Sequence, residues 1–180
     1  MNNNKFLVLY ESRYGSTKKY AEFISTELNA DLKQIKDIDN LDFDLYQTII
    51  IGGWLHACYI KGLNKLKKYL YKLDDKNLII FTVGLASGTE NDLAKVKKLN
   101  LNAFPKDKIN FFYFRGAFNY KHLKPIDKIL MSLLKKKVLS TAKKRELSED
   151  EKCLLECYDK PISFINKNSI NKLINYANSL

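Results

Sequence analysis

A chain of 180 residues with 46% hydrophobic content and only 3 Pro carries enough apolar surface for one folded domain with a sizeable core, which excludes a disordered or collagen-like chain. No apolar run approaches the roughly 18 residues of a membrane span and the N-terminal stretch lacks a secretory leader pattern, so a cytoplasmic location is expected. The formal charge of +11 is concentrated: Lys121 to Arg145 holds nine Lys or Arg against Asp127 alone, about +8 of that total.

The first apolar run, Phe6 to Tyr10, is short, continuous and rich in strand formers, as a strand buried on both faces of a parallel sheet would be. It breaks into Ser12-Arg13-Tyr14-Gly15-Ser16-Thr17, after which Tyr20, Ala21, Ile24 and Leu28 recur at helical spacing. A helix N-terminus presents unpaired N–H groups and the positive end of its dipole, so this hydroxyl-rich loop suits a phosphate. Ser and Thr are also ordinary helix caps and Gly an ordinary turn residue, so a plain capped turn fits the same residues. Neither G-x-G-x-x-G nor G-x-x-x-x-G-K-[ST] is present, which leaves dinucleotide and nucleoside-triphosphate loops unsupported.

Asp31 to Ile35 reads as a polar edge strand. Thr48 to Ile51 is a second buried strand, with Gly52-Gly53 read as its turn and Trp54-Leu55-His56-Ala57-Cys58-Tyr59 as a loop. A helix with Leu63, Leu66, Tyr69 and Leu70 on one face follows. Leu78 to Val83 is another strand, ending at Gly84, and Ser87, Gly88 and Thr89 punctuate the loop before a helix carrying Leu93, Val96 and Leu99. Ile109 to Phe114 is the fifth strand. Such alternation predicts an α/β, doubly wound, five-stranded parallel sheet with helices on both faces. Ligands of these sheets lie beyond the C-terminal strand ends, so three loops are candidates: Ser12 to Thr17, Gly52 to Tyr59, and Gly84 to Gly88.

With those residues in view, the chain resembles the flavodoxin family. Residues 5 to 28 resemble its phosphate loop, whose usual form is Thr or Ser, x, Thr, Gly, x, Thr; Tyr14 departs from the small hydroxyl usual before the glycine. Asp44 to Ala86 is similar to the family's middle portion. The resemblance implies strand order 2-1-3-4-5 in a three-layer sandwich and non-covalent FMN. It assigns cofactor contacts to Ser12, Arg13, Tyr14, Gly15, Ser16, Thr17, Trp54, Leu55, His56, Ala57, Val83, Gly84, Leu85, Ala86 and Ser87, with Trp54 either as ring stacker or as an aromatic capping the core. His56 stands either as a donor near the reduced ring or as an exposed loop residue without a role. Ile51-Gly52-Gly53-Trp54-Leu55-His56 and Phe114-Arg115-Gly116-Ala117-Phe118-Asn119-Tyr120 resemble the menaquinone-dependent protoporphyrinogen dehydrogenase branch, over nearly the whole chain to about residue 137.

The expected organisation is a single domain over 1–180 with a basic helical insertion at about 121–158. Pro125 suits a first helical turn, and Ile126, Ile129, Leu130, Leu133 and Leu134 form a stripe at helical spacing. The stripe either packs on the sheet, or lies on an anionic membrane surface on the inner face where a quinone is met, or contacts nucleic acid. The last is disfavoured by the lack of a binding motif. Ser148 and Glu151 fit a capping box, Cys153, Leu154 and Cys157 share a core face, and a helix from Ser169 to Leu180 completes the sandwich. No metal site is expected, because the cysteines match no zinc spacing. Two redox functions compete: an FMN-dependent dehydrogenase passing electrons from a porphyrinogen-like donor to a quinone, and a flavodoxin-type electron carrier, whose usual acidity this basic chain lacks. A basic binding module with a degenerate flavin site is the third.

Overall fold

The computed structural model describes residues 5–104 and 109–180. These form two compact units: the first spans the chain to Gly84, Gly88–Gly116 and Ile165–Leu180, and the second comprises Leu85–Ser87 and Ala117–Phe164.

The first unit is built on a parallel sheet of β1 (Phe6–Glu11), β2 (Asp31–Gln34), β3 (Thr48–His56), β5 (Asn77–Gly84) and β6 (Ile109–Arg115), in the order β2-β1-β3-β5-β6. The short β4 (Tyr59–Ile60) folds back antiparallel on the end of β3. Leaving that hairpin aside, the order is the expected 2-1-3-4-5. Both faces of that sheet are apolar. Along β1, Leu7 and Leu9 point into one core and Phe6, Val8 and Tyr10 into the other, so both faces of the strand need a helical cover. On the second face α1 (Ser16–Leu28) buries Tyr20, Ala21, Ile24 and Leu28, beside Ile170 and the Leu173 and Ala177 of α7 (Asn171–Asn178). On the first, Leu63, Leu66 and Leu73 join Val96 of α4 (Glu90–Asn100) and Phe104. This is a three-layer sandwich.

Three local expectations change. Gly52 and Gly53 are not a turn: they lie inside β3, paired with Tyr10 and Glu11 on one side and Phe81 and Thr82 on the other. A Cβ on Gly52 would stand 2.1 Å from the Phe81 ring, and one on Gly53 2.4 Å from the Lys61 carbonyl oxygen. The glycines serve close packing rather than turning. The stretch after Gly62 is not one helix but α2 (Leu63–Leu66), a 3-10 turn at Lys67–Tyr69, and α3 (Leu70–Leu73). The i, i+3 spacing of Leu63, Leu66 and Tyr69 suits the tighter winding. In α4 only Val96 of the expected apolar face is buried; Leu99 is exposed.

The second unit holds α5 (Pro125–Ala142) and α6 (Glu149–Glu156), closed by a two-stranded antiparallel pairing of β7 (Ala117–Phe118) with β8 (Ile162–Ser163). Pro125 opens α5 as expected, and Ser148 and Glu151 make the reciprocal capping box of α6. Tyr158 ties the helices together: its hydroxyl donates to the Met131 carbonyl, its ring lies 5.0 Å from Tyr120, and Lys135 Nζ sits 4.6 Å over it. Cys157 is buried, and that burial pushes its thiol up to about 12, so it is a core thiol and not a thiolate ligand. Ile126, Ile129, Leu130, Leu133 and Leu134, the apolar stripe of α5, are exposed.

Candidate functional site

The end of β1 delivers the loop of residues 12–15 to the start of α1. Ser12 Oγ accepts from the Gly15 N–H at 3.2 Å, which holds the turn, and Gly15 takes φ +94°. That is a left-handed conformation suited to glycine. Gly15 stands at the N-cap of α1, where no side chain caps the helix and no acidic residue lies in the first turn. The positive end of the dipole is therefore not offset by a carboxylate. Thr17 follows inside that first turn: it is 1% exposed, and its Oγ1 is buried without a hydrogen-bond partner. A buried hydroxyl of this kind costs free energy unless something meets it.

Two contacts gather the neighbouring strand ends around this loop. The Arg13 guanidinium lies 5.4 Å from the Trp54 ring and 5.7 Å from that of Tyr14, so the first loop and the end of β3 touch through a stacked cation. At Gly116, an added Cβ would meet Val83 Cγ1 at 2.9 Å and the Ser16 side chain at 3.1 Å, so the ends of β5 and β6 close on the same helix start. Tyr20 braces the helix from below. Its hydroxyl donates to the Arg115 carbonyl at 2.8 Å and accepts from the Asn166 N–H at 3.3 Å.

Trp54, Leu55 and His56 are half-buried residues of β3 itself rather than of a loop. His56 meets Trp54 edge-on at 5.3 Å. The loop proper is two residues, Ala57 and Cys58, at φ +47° and +69°. Two consecutive positive φ values match the reversed turn that suits a twisted hairpin, here without the usual Asn or Gly. Asn100 holds it from outside: its Nδ2 donates to the Cys58 carbonyl at 2.7 Å and its Oδ1 accepts from the Ile60 N–H at 2.8 Å.

Val83 and Gly84 end β5 in the first unit, whereas Leu85, Ala86 and Ser87 belong to the second. There the Ser87 N–H and hydroxyl both donate to the Asp150 carboxylate, at 2.7 to 3.0 Å. Leu85 and Ala86 line a cleft of about 380 Å³ with Leu134, Val138 and Leu154 among others. Reading the sequence missed Asn100, the Asp150 contact and the Arg13 stack. Only the aromatic neighbours of Arg13 offered a signal for any of them.

A doubly wound parallel sheet with its first βα loop built around an uncapped, acid-free helix start defines a class of phosphate-holding α/β proteins. Within that class the chain belongs to the flavodoxin-domain family, whose model matches residues 7–146. It is 31% identical over 111 residues to the flavodoxin-like domain-containing protein BilS of Clostridioides difficile (strain CD3), a match covering 57% of this chain and 60% of that relative. Similar solved structures include a flavoprotein in complex with FMN from Lactobacillus acidophilus NCFM, with TM-score 0.40, 20% identity, and 62% and 92% of the two chains covered. Another is oxidised Flavodoxin 2 from Bacillus cereus, with TM-score 0.42, 17% identity, and 62% and 84% covered.

Proposed function

We propose that the chain binds FMN and works as a flavin-dependent oxidoreductase, with a quinone as the electron acceptor class and a porphyrinogen-like molecule as the donor. The observation that carries the cofactor is the buried, partnerless Thr17 hydroxyl in the first turn of an uncapped α1. A phosphate monoester supplies the acceptor oxygens this arrangement lacks, and family membership points to a flavin mononucleotide.

In this reading Ser12, Gly15, Ser16 and Thr17 hold the phosphate through hydroxyls and backbone N–H groups, and Arg13 and Tyr14 flank it. Trp54 offers an aromatic face at the end of β3, with Leu55, His56 and Ala57 following along the hairpin. Arg13 covers the Trp54 ring, so ring stacking by Trp54 requires the guanidinium to shift toward the phosphate. Val83 and Gly84 contribute backbone at the end of β5. FMN would supply the hydride and electron transfer, while the protein positions it and excludes water. The donor and acceptor follow from the resemblance of 51–56 and 114–120 to the protoporphyrinogen dehydrogenase branch. A second reading, an electron carrier without its own substrate, follows from the same fold.

The test is the visible absorption of the purified chain before and after adding FMN, with gel filtration to remove free flavin. Flavin bands that travel with the protein support the cofactor. Turnover of a reduced donor with a soluble quinone then separates enzyme from carrier, since a carrier exchanges electrons with a reductase but does not turn over alone. A colourless chain that leaves the fluorescence of added FMN unchanged would overturn both.

A further inference from the structure

We infer that α5 is an interfacial helix that docks the protein on an anionic lipid surface. This stands on the second unit alone and does not depend on flavin. The helix carries exposed aliphatic side chains where a soluble helix would carry polar ones: Ile126 is 63% exposed, Ile129 62%, Leu133 57%, Leu130 47% and Leu134 39%. At 100° per residue these five fall within an arc of about 140° on one side of the helix. The flank next to Leu134 is the one that packs: Val138, about 110° from the centre of the arc, is buried, and the Met131 carbonyl receives the Tyr158 hydroxyl, while Leu139 on the far side is exposed as well.

The charge along that arc decides the occupant. No acidic residue lies within it; Lys137 falls inside it, Lys136 at one margin and Asp127 at the other, and Lys143 and Lys144 follow directly at the end of α5. An aliphatic strip continued by a lysine cluster matches a negatively charged membrane interface, where the apolar chains enter the acyl boundary and the ammonium groups meet headgroup phosphates. A protein partner fits less well. The arc has no Trp, Tyr or Arg to act as an anchor, and of its five aliphatic side chains only Leu134, at one edge, reaches the cleft beside Leu85 and Ala86. Among the described residues no helix is long and apolar enough to cross a membrane, so the contact is one of lying on the surface.

The test is co-sedimentation of the full chain with phosphatidylcholine vesicles, with and without phosphatidylglycerol. Binding is expected only with phosphatidylglycerol, falling as salt rises. Lys136→Gln with Lys137→Gln should weaken it about 25-fold, at about fivefold per lysine. Leu133→Ser should weaken it about tenfold while leaving the circular dichroism spectrum unchanged, because the side chain is already exposed. Ile129→Ser serves as a second aliphatic variant at the same face. Equal binding to both vesicle types, or none, would overturn the inference. So would a dimer in sedimentation velocity that Ile129→Ser breaks without any vesicle binding, which would assign the face to a second copy. Binding to polyglutamate as tight as to vesicles and indifferent to Leu133→Ser would assign the lysines to an acidic protein and also overturn it.

Discussion

Replacing Thr17 with Val separates a phosphate ligand from a structural hydroxyl, because the two roles predict opposite signs. Thr17 is 1% exposed and its Oγ1 has no partner, so the folded chain carries a desolvated hydroxyl with nothing to offset it. An unmet buried hydroxyl costs about 1 to 3 kcal/mol, while Thr and Val have nearly the same volume and similar helix propensity. Thr17→Val should therefore stabilise the flavin-free protein by about 1 kcal/mol, the lower end of that range, read as a higher urea midpoint at unchanged slope. The same change removes a hydrogen bond to a charged phosphate, worth about 1.5 to 3 kcal/mol, so FMN should bind about 10- to 150-fold more weakly by fluorescence titration. A variant that is less stable without flavin and equally tight with it would refute the reasoning. The hydroxyl would then be satisfied within the fold, and the phosphate would sit elsewhere.

The β3–β4 hairpin should depend on Asn100: Asn100→Leu strands the Cys58 carbonyl and the N–H of Ile60, a residue only 3% exposed, and should cost about 2 to 4 kcal/mol. Amide exchange at Ile60 should rise with it, and a loss of stability too small to resolve would show that the hairpin is held by its strand pairing alone. Alkaline pH gives a third expectation, through Tyr46. Burial first, then its 2.7 Å hydrogen bond to Asp31, raises its pKa from 10.0 to about 12. A folded pKa above the unfolded one means that the stability is fully present below pH 10.0 and is lost between there and about 12, as the unfolded chain ionises first. Tyr46→Phe should remove that part of the alkaline decline; identical slopes for both proteins across the window would show that other groups cause it.

Much of this protein is legible locally. Phe6 to Tyr10, Thr48 to Ile51 and Leu78 to Val83 are apolar on successive residues but for Thr48 and Thr82, so each is suited to burial on both faces, as in a sheet covered by helices on two sides. The helix of Tyr20, Ala21, Ile24 and Leu28, Pro125 at the start of α5 and the Ser148–Glu151 box are written within a turn or two of chain. Local signals mislead where a distant residue decides. Gly52-Gly53 has a turn's composition, yet Phe81, nearly thirty residues on, takes the space their side chains would fill and keeps them in the strand. Trp54 reads as a loop aromatic, but pairing of Leu55 with Ile60 extends the strand through it. The spacing of Ile126, Ile129, Leu130, Leu133 and Leu134 marks an aliphatic stripe on a helix and cannot say what covers it. A stripe is a property of one helix, whereas burial depends on which surfaces of the fold reach it. In the folded chain the side carrying Val138 is buried and the side carrying Ile126, Ile129 and Leu133 is left to solvent.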